Sequence, residues 1–192
     1  MNQDEKYFSA IEAGDEDTIC ALLMTAAHTA GYLIGPVYHG TSAVENFTIF
    51  DGSKGWAENE FWFSDDREAV RSFVGSQSGR IIEAFLRIER PGAPMDLIAV
   101  RSGRASNFDG VIYSGSFSGA GSETGNAFVV FSPTQIKSAR GIERDKFGEI
   151  IPLSQRFAES PDIRGDVSGG LLVGRSTAQC KSHDIGGQYV AR

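Results

Sequence analysis

Cysteine, histidine and proline are all scarce in this chain of 192 residues, with two, three and six copies. Two cysteines are too few for a disulfide scaffold. Cys20 and Cys180 stand far apart and read as unrelated thiols in a reducing compartment. Cys180 precedes His183 in a CxxH pattern that lacks the partners of a zinc site, so no metal is expected. No apolar run approaches the ~20 residues of a membrane span. The polar, acidic start MNQDEK does not look like a signal peptide, so a cytoplasmic location and no membrane partner are expected. Positive charge is also short. Eighteen Lys and Arg against 25 Asp and Glu give a net charge of -7, which argues against broad, nonspecific nucleic-acid binding and leaves only a local basic groove open.

What is present is ordinary for a globular domain: 41% hydrophobic and 22% charged residues, with no internal repeat, suit one domain plus an extension. The spacing predicts two helices over residues 3–30. Tyr7, Phe8 and Ile11 share a face, Gly14 interrupts, and Asp15, Glu16 and Asp17 suit a second start. Ile19, Leu22, Leu23, Ala26, Ala27 and Ala30 then recur at helical spacing until Gly31. From Val37 the pattern turns to short apolar runs between Gly, Ser, Asn and Asp: PVYHGT, FTIF, FWFS, RIIEAFLRIE, FDGVIYS and AFVVF, read as strands. A helix is predicted over residues 65–74, capped by Ser64 or Asp65, with Ala69, Val70, Phe73 and Val74 inward. Residues 115–125 (GSFSGAGSETG) read as a mobile loop before the last strand. Residues 150–157 (IIPLSQRF) are expected to pack back on the core, and 158–192 to form a flexible tail.

Three fragments carry chemistry. In Tyr38-His39-Gly40-Thr41, a histidine at a strand end can offer its ring to a ligand hydroxyl, and a glycine admits a ligand to the backbone; from HGT alone a structural histidine is the better reading. In Phe61-Trp62-Phe63-Ser64 and the following helix, Trp62 and Phe73 lie eleven residues apart and can fold into an aromatic slot for a flat, cationic ring; plain core packing is the alternative. The third is GNAFVVFSPTQIK, residues 125–137, a buried strand ended by a proline turn.

In this order the fragments resemble the ADP-ribosyltransferase superfamily, on its diphtheria-toxin and poly(ADP-ribose)-polymerase branch with a His–Tyr–Glu triad. The likeness is nearest to transferase domains of phage and mobile-element polyvalent proteins and related toxins. It is carried by YHGT, WFS, DGVI (residues 109–112) and VVFSPTQIKSA (residues 129–139). The resemblance implies an α+β fold with a split, two-sheet core over 32–157 and an N-terminal helical cap over 1–31. It implies NAD as co-substrate, with His39 holding the adenosine-side ribose and the Gly40 backbone pairing with the nicotinamide carboxamide. Trp62 and Phe73 stand where stacking tyrosines are usual, and Thr41, Phe63 and Ser64 complete the cofactor-binding set. Ala127 stands where the catalytic glutamate is expected, with Trp62 and His39 as the other members of the triad. A fixed carboxylate there would stabilise charge on the ribose as the glycosidic bond breaks, and an alanine cannot. Three explanations stay open: deliberate disarming, divergence with Gln135 or Glu123 taking over, and a pseudoenzyme that binds NAD or ADP-ribose without turnover. For Gln135, a structural role bonding backbone at the strand end is preferred.

The acceptor would be chosen by the loops at 51–60 and 115–125, through Trp56, Lys54, Glu58, Phe117 and Glu123. Arg67, Arg71 and Arg80 offer a modest positive rim for a pyrophosphate or nucleic acid. The resemblance implies a macromolecular acceptor (RNA, DNA or protein), a toxin or effector role in phage–bacterium conflict, and a neutralising antitoxin protein. An RNA 2′-phosphotransferase ranks low, because no arginine sits beside His39 or Trp62, and a structural virion component would need no NAD at all.

Overall fold

The structure, a computed structural model, describes residues 1–43, 46–54, 57–75, 79–101, 107–115 and 125–167. It opens with α1 (Gln3–Ala13) and α2 (Glu16–Thr29). Asn2 and Glu5 form a reciprocal capping box at the start of α1, and Gly14 ends it at a φ of 67° that other residues rarely adopt. Asp15 then caps α2 through the Thr18 N–H. The apolar stripe of both helices (Tyr7, Ala10, Ile19, Leu23, Ala27) packs with Tyr32, Phe85, Ala139, Ile150, Leu153 and Phe157. The Tyr7 hydroxyl donates to the Gly141 carbonyl at 2.6 Å. Asp4 accepts from both the N–H and the hydroxyl of Ser154 at the start of α4 (Leu153–Arg156). Residues 150–157 therefore do pack back on the core. Cys20 on α2 is disulfide-bonded, against the expectation of a free thiol, and Cys180 lies outside the described residues.

The strands are β1 (Ile34–Thr41), β2 (Phe61–Ser64), β3 (Arg80–Leu86), β4 (Pro91–Gly92), β5 (Gly110–Tyr113), β6 (Ala127–Val130) and β7 (Ile136–Ser138). They form one hydrogen-bonded sheet in the order β4-β5-β6-β2-β1-β3-β7, rather than two separate sheets. All neighbours are antiparallel except β4 and β5. Pairing is continuous along β2–β6, shifts register between Ile34 and Val37 in β1–β3, and is reduced between β1 and β2 to one position, Tyr38 opposite Ser64.

Two sequence expectations change. FTIF is not a strand, and Ile49 makes only an isolated bridge to Asp162. Residues 65–74 give turns and a single 3-10 turn, Arg71–Phe73, instead of a helix. The cause is local competition. Asp66 Oδ1 accepts from the N–H groups of Glu68 and Ala69, donors that a helix begun after Ser64 would send to its own carbonyls. One helix, α3 (Pro94–Arg101), was not foreseen. Its signal is the proline at its first position and Asp96, whose carboxylate accepts from the Ala93 N–H.

The described part of the supposed tail, 158–167, is packed rather than loose. Lys137, fully buried, donates from Nζ to the carbonyls of Ser160 and Asp162 at 2.8 and 2.9 Å, and Ser138 N–H donates to Ile163. Residues beyond 167 lie outside the described set.

Candidate functional site

Strand alternation sorts the candidates by face. Register aligns Glu83, Tyr38, Ser64, Ala127 and Tyr113 in one row across five strands, so their side chains share a face. Trp62 and Gly40 belong to that face, two residues from Ser64 and Tyr38. His39, Phe63 and Phe128 belong to the other, where the His39 ring packs on Phe50 and Phe63 with centroids 5.0 and 5.4 Å away. Trp62 and Ala127 are thus brought to one side, and His39 is not.

His39 reaches the seam between β1 and β2 through a hydrogen bond. Its Nδ1 lies 2.8 Å from the Trp62 carbonyl, which can only accept, so Nδ1 carries the proton and Nε2 keeps a lone pair. Burial holds its pKa below the usual 6.5, opposed by the bond to Trp62, and the ring is neutral at pH 7. A neutral ring with a bare Nε2 can accept a hydrogen bond from a sugar hydroxyl. Phe63 is buried beneath it and contacts no open surface, while the Thr41 hydroxyl accepts from the Ala43 N–H.

Gly40 meets a packing demand of the fold itself. A Cβ there would fall 2.2 Å from the Val70 carbonyl oxygen and 3.0 Å from Phe73 Cβ. The glycine admits the chain's own 65–74 segment onto the sheet, and this sets Phe73 over the site face with 38% of its surface exposed.

Trp62 is half-buried and held on two sides. Its indole N–H donates to Glu60 Oε2 at 3.1 Å, and its ring lies 5.5 Å from that of Tyr113, tilted by 34°. Glu60 is itself gripped by Arg101 of α3 through two bonds of 2.7 and 2.8 Å. Tyr113, Glu60 and Arg101 escaped the sequence argument. The signal for Tyr113 was its position directly after DGVI, and for Glu60 its place two residues before Trp62, on the same side of the strand.

Ala127 is fully buried between Ser64 and Tyr113. Its neighbour Asn126 is held by Asp65, with Oδ1 accepting from the backbone N–H at 2.7 Å and Oδ2 from the side-chain amide at 2.6 Å. Ser64, also fully buried, donates to the Asn126 carbonyl at 3.1 Å and accepts from Asp66, so its hydroxyl serves the same joint. Gln135 makes four bonds to backbone: from the N–H groups of Phe131 and Ser132, and to the carbonyls of Arg87 and Asp109. It is a structural clasp with no capacity left for catalysis. Trp56, Phe117 and Glu123 lie outside the described residues.

Residues 31–99 match a family model, that of the ADP-ribosyltransferase in polyvalent proteins. Over this stretch the chain carries an ADP-ribosyltransferase sequence of the polyvalent-protein type. The matched transferase segment holds His39, Gly40, Trp62, Ser64 and Phe73; Ala127 falls beyond it. No curated protein and no solved structure matches the chain. Enzymes of this class use NAD as co-substrate. Among the described residues no helix is long and apolar enough to cross a membrane, and no three or more His, Cys, Asp or Glu side chains are grouped to hold a metal.

Two shallow depressions lie elsewhere. One, about 340 Å³, sits between α1 and α2, and one of about 420 Å³ is lined by Arg87, Phe108, Phe131 and Ser132. Neither includes Trp62 or Gly40.

Proposed function

We propose that this chain descends from an NAD-dependent mono-ADP-ribosyltransferase acting on a macromolecule, and that Ala127 leaves it without its catalytic carboxylate. The observation that carries this is the hydrogen-bonded joint around residue 127. Asp65, Asn126 and Ser64 hold the backbone on either side of a position that has no functional group, next to the Trp62 and Tyr113 rings. Such support is what a precisely placed carboxylate needs and what a methyl group does not.

NAD would lie across the β1–β2 seam. Its nicotinamide ring would meet Trp62 and Phe73, and a ribose hydroxyl would reach His39 Nε2, on the other face, only by passing the β1–β2 seam, where the strands pair at one position. A glutamate at 127 would accept from the other ribose and stabilise its developing positive charge as nicotinamide leaves, a contribution of about a hundredfold or more. The acceptor would be RNA, DNA or protein, and the activity a toxin's or effector's in phage–bacterium conflict, countered by an antitoxin protein. A non-catalytic NAD- or ADP-ribose-binding module is the second reading, favoured by the complete burial of Ala127.

The test is to measure nicotinamide release from NAD, and ADP-ribose on protein, DNA and RNA fractions of a lysate, for the chain and for Ala127→Glu. Activity confined to Ala127→Glu supports the reading, and equal activity in both refutes the role given to residue 127. NAD binding without turnover in either chain would favour the binding module.

A further inference from the structure

Two of the arginines that the sequence offered as a positive rim are engaged elsewhere. Arg71 pairs with Glu68 at 2.6 Å, and Arg80 bonds Asn46 and lies over the Phe47 ring. The arginine that reaches the Trp62 cluster is Arg101, the last residue of α3. Leu97, one helical turn earlier, is buried with Val111 and Val129, and Trp62 and Tyr113 pack against the same cluster. The helix therefore lies on the site face of the sheet and points its final side chain at β2.

What Arg101 grips there is a buried carboxylate. Glu60 is 4% exposed, and its two oxygens serve three donors. Oε1 accepts from Arg101 Nε at 2.7 Å, and Oε2 accepts from Arg101 Nη2 at 2.8 Å and from the Trp62 indole N–H at 3.1 Å. This count dictates the residue type. An amide has one acceptor oxygen and would turn its own N–H groups toward one of the donors, so glutamine cannot replace glutamate. The guanidinium is planar and two-pronged, so it fixes the plane of the carboxylate as well as its position. The carboxylate in turn fixes the indole edge that carries the N–H. The indole ring rests on Tyr113, with centroids 5.5 Å apart, and Tyr113 stands opposite Ala127.

Packing alone does not call for this arrangement. Trp62 is only half-buried, and burying an ion pair gives little stability over apolar contacts of the same volume. What the pair does supply is direction. We infer that Glu60 and Arg101 are positioning residues that hold the Trp62 indole in one orientation, as a fixed stacking wall for the flat ring of the ligand. They act through Trp62. The part played by the ligand rests on the proposed function, and the hold on the indole rests on the geometry alone.

The experiment uses the full chain carrying Trp56→Phe, which leaves Trp62 as its one tryptophan. Acrylamide quenching and polarisation of the Trp62 fluorescence report how firmly the indole is held, and calorimetric titration with NAD reports the ligand. Glu60→Gln keeps the shape of the side chain and loses one acceptor. Arg101→Lys keeps the charge and loses the two-pronged grip, and it takes over if the melting curve shows that Glu60→Gln does not fold. Either variant is expected to be quenched more readily and to bind NAD about threefold to tenfold more weakly. In a Trp62→Phe chain no indole N–H is left to hold, so the same substitution should add no further loss of NAD affinity. A merely structural Glu60 would weaken binding equally in both backgrounds. Quenching unchanged in a folded variant overturns the inference, and so does an NAD affinity that falls equally in both backgrounds or does not fall at all. If no chain binds NAD, the proposed function fails, and the quenching result still decides whether Glu60 and Arg101 hold the indole.

Discussion

Asp65 holds Asn126 with both carboxylate oxygens, at 2.7 Å to the backbone N–H and 2.6 Å to the side-chain amide. These residues are 61 positions apart in sequence, and the contact ties the end of β2 to the start of β6, one residue before Ala127. Replacing Asp65 with alanine should cost about 1–2 kcal/mol in urea unfolding, a modest figure because the carboxylate is exposed. In an Ala127→Glu background the same change should also lower nicotinamide release, by misplacing the carboxylate. Full activity without Asp65 would show that the joint does not position residue 127.

Gly40→Ala should destabilise the fold by roughly 1–3 kcal/mol, because the added Cβ meets a backbone oxygen that cannot rotate away. Equilibrium unfolding reads this directly. A cost below about 0.5 kcal/mol would mean that the 65–74 segment lifts freely off the sheet.

His39 should make stability depend on mild acid. Its folded pKa lies below the unfolded 6.5, so as pH falls through 6.5 the unfolded chain takes up the proton first. The native state then loses stability until the folded ring protonates as well. Comparing the chain with His39→Gln from about pH 7.5 down to about pH 5.5 should show the larger loss in the chain with histidine. Parallel pH curves would exclude a depressed pKa.

Lys137 should act at the alkaline end with the same sign. Its pKa is pushed down to about 8 by burial, from an ordinary 10.5. Between these values the unfolded chain binds the extra proton, so stability gains up to about 3 kcal/mol as pH rises through the window. Lys137→Met should lack that gain. Unfolding free energies of the two chains that stay a constant distance apart across the window would contradict it.

Much of the architecture was legible because it is local. Gly14 and the acids after it delimit two helices by their own conformational and capping preferences, and apolar runs such as FWFS and AFVVF need only alternate or bury to become strands. The 65–74 segment failed as a helix because the Asp66 side chain bonds the Glu68 and Ala69 N–H groups, an effect hidden in a hydrophobic stripe. The supposed tail failed through 158–167, because a buried Lys137 twenty or more positions upstream holds it.

The sequence by itself determined which residue types stand at the site: a histidine before a glycine, two aromatics eleven apart, and an alanine where a carboxylate is expected. It did so because those spacings belong to single strands and their ends. Only the tertiary structure decided which of them share a face. Register across β1, β2, β6 and β5 sets Trp62, Ala127 and Tyr113 together and turns His39 to the far side, and long-range pairing brings Ala139 beside Glu83. Side-chain direction alternates at every residue, so faces depend on register between strands, and register is a property of the assembled sheet.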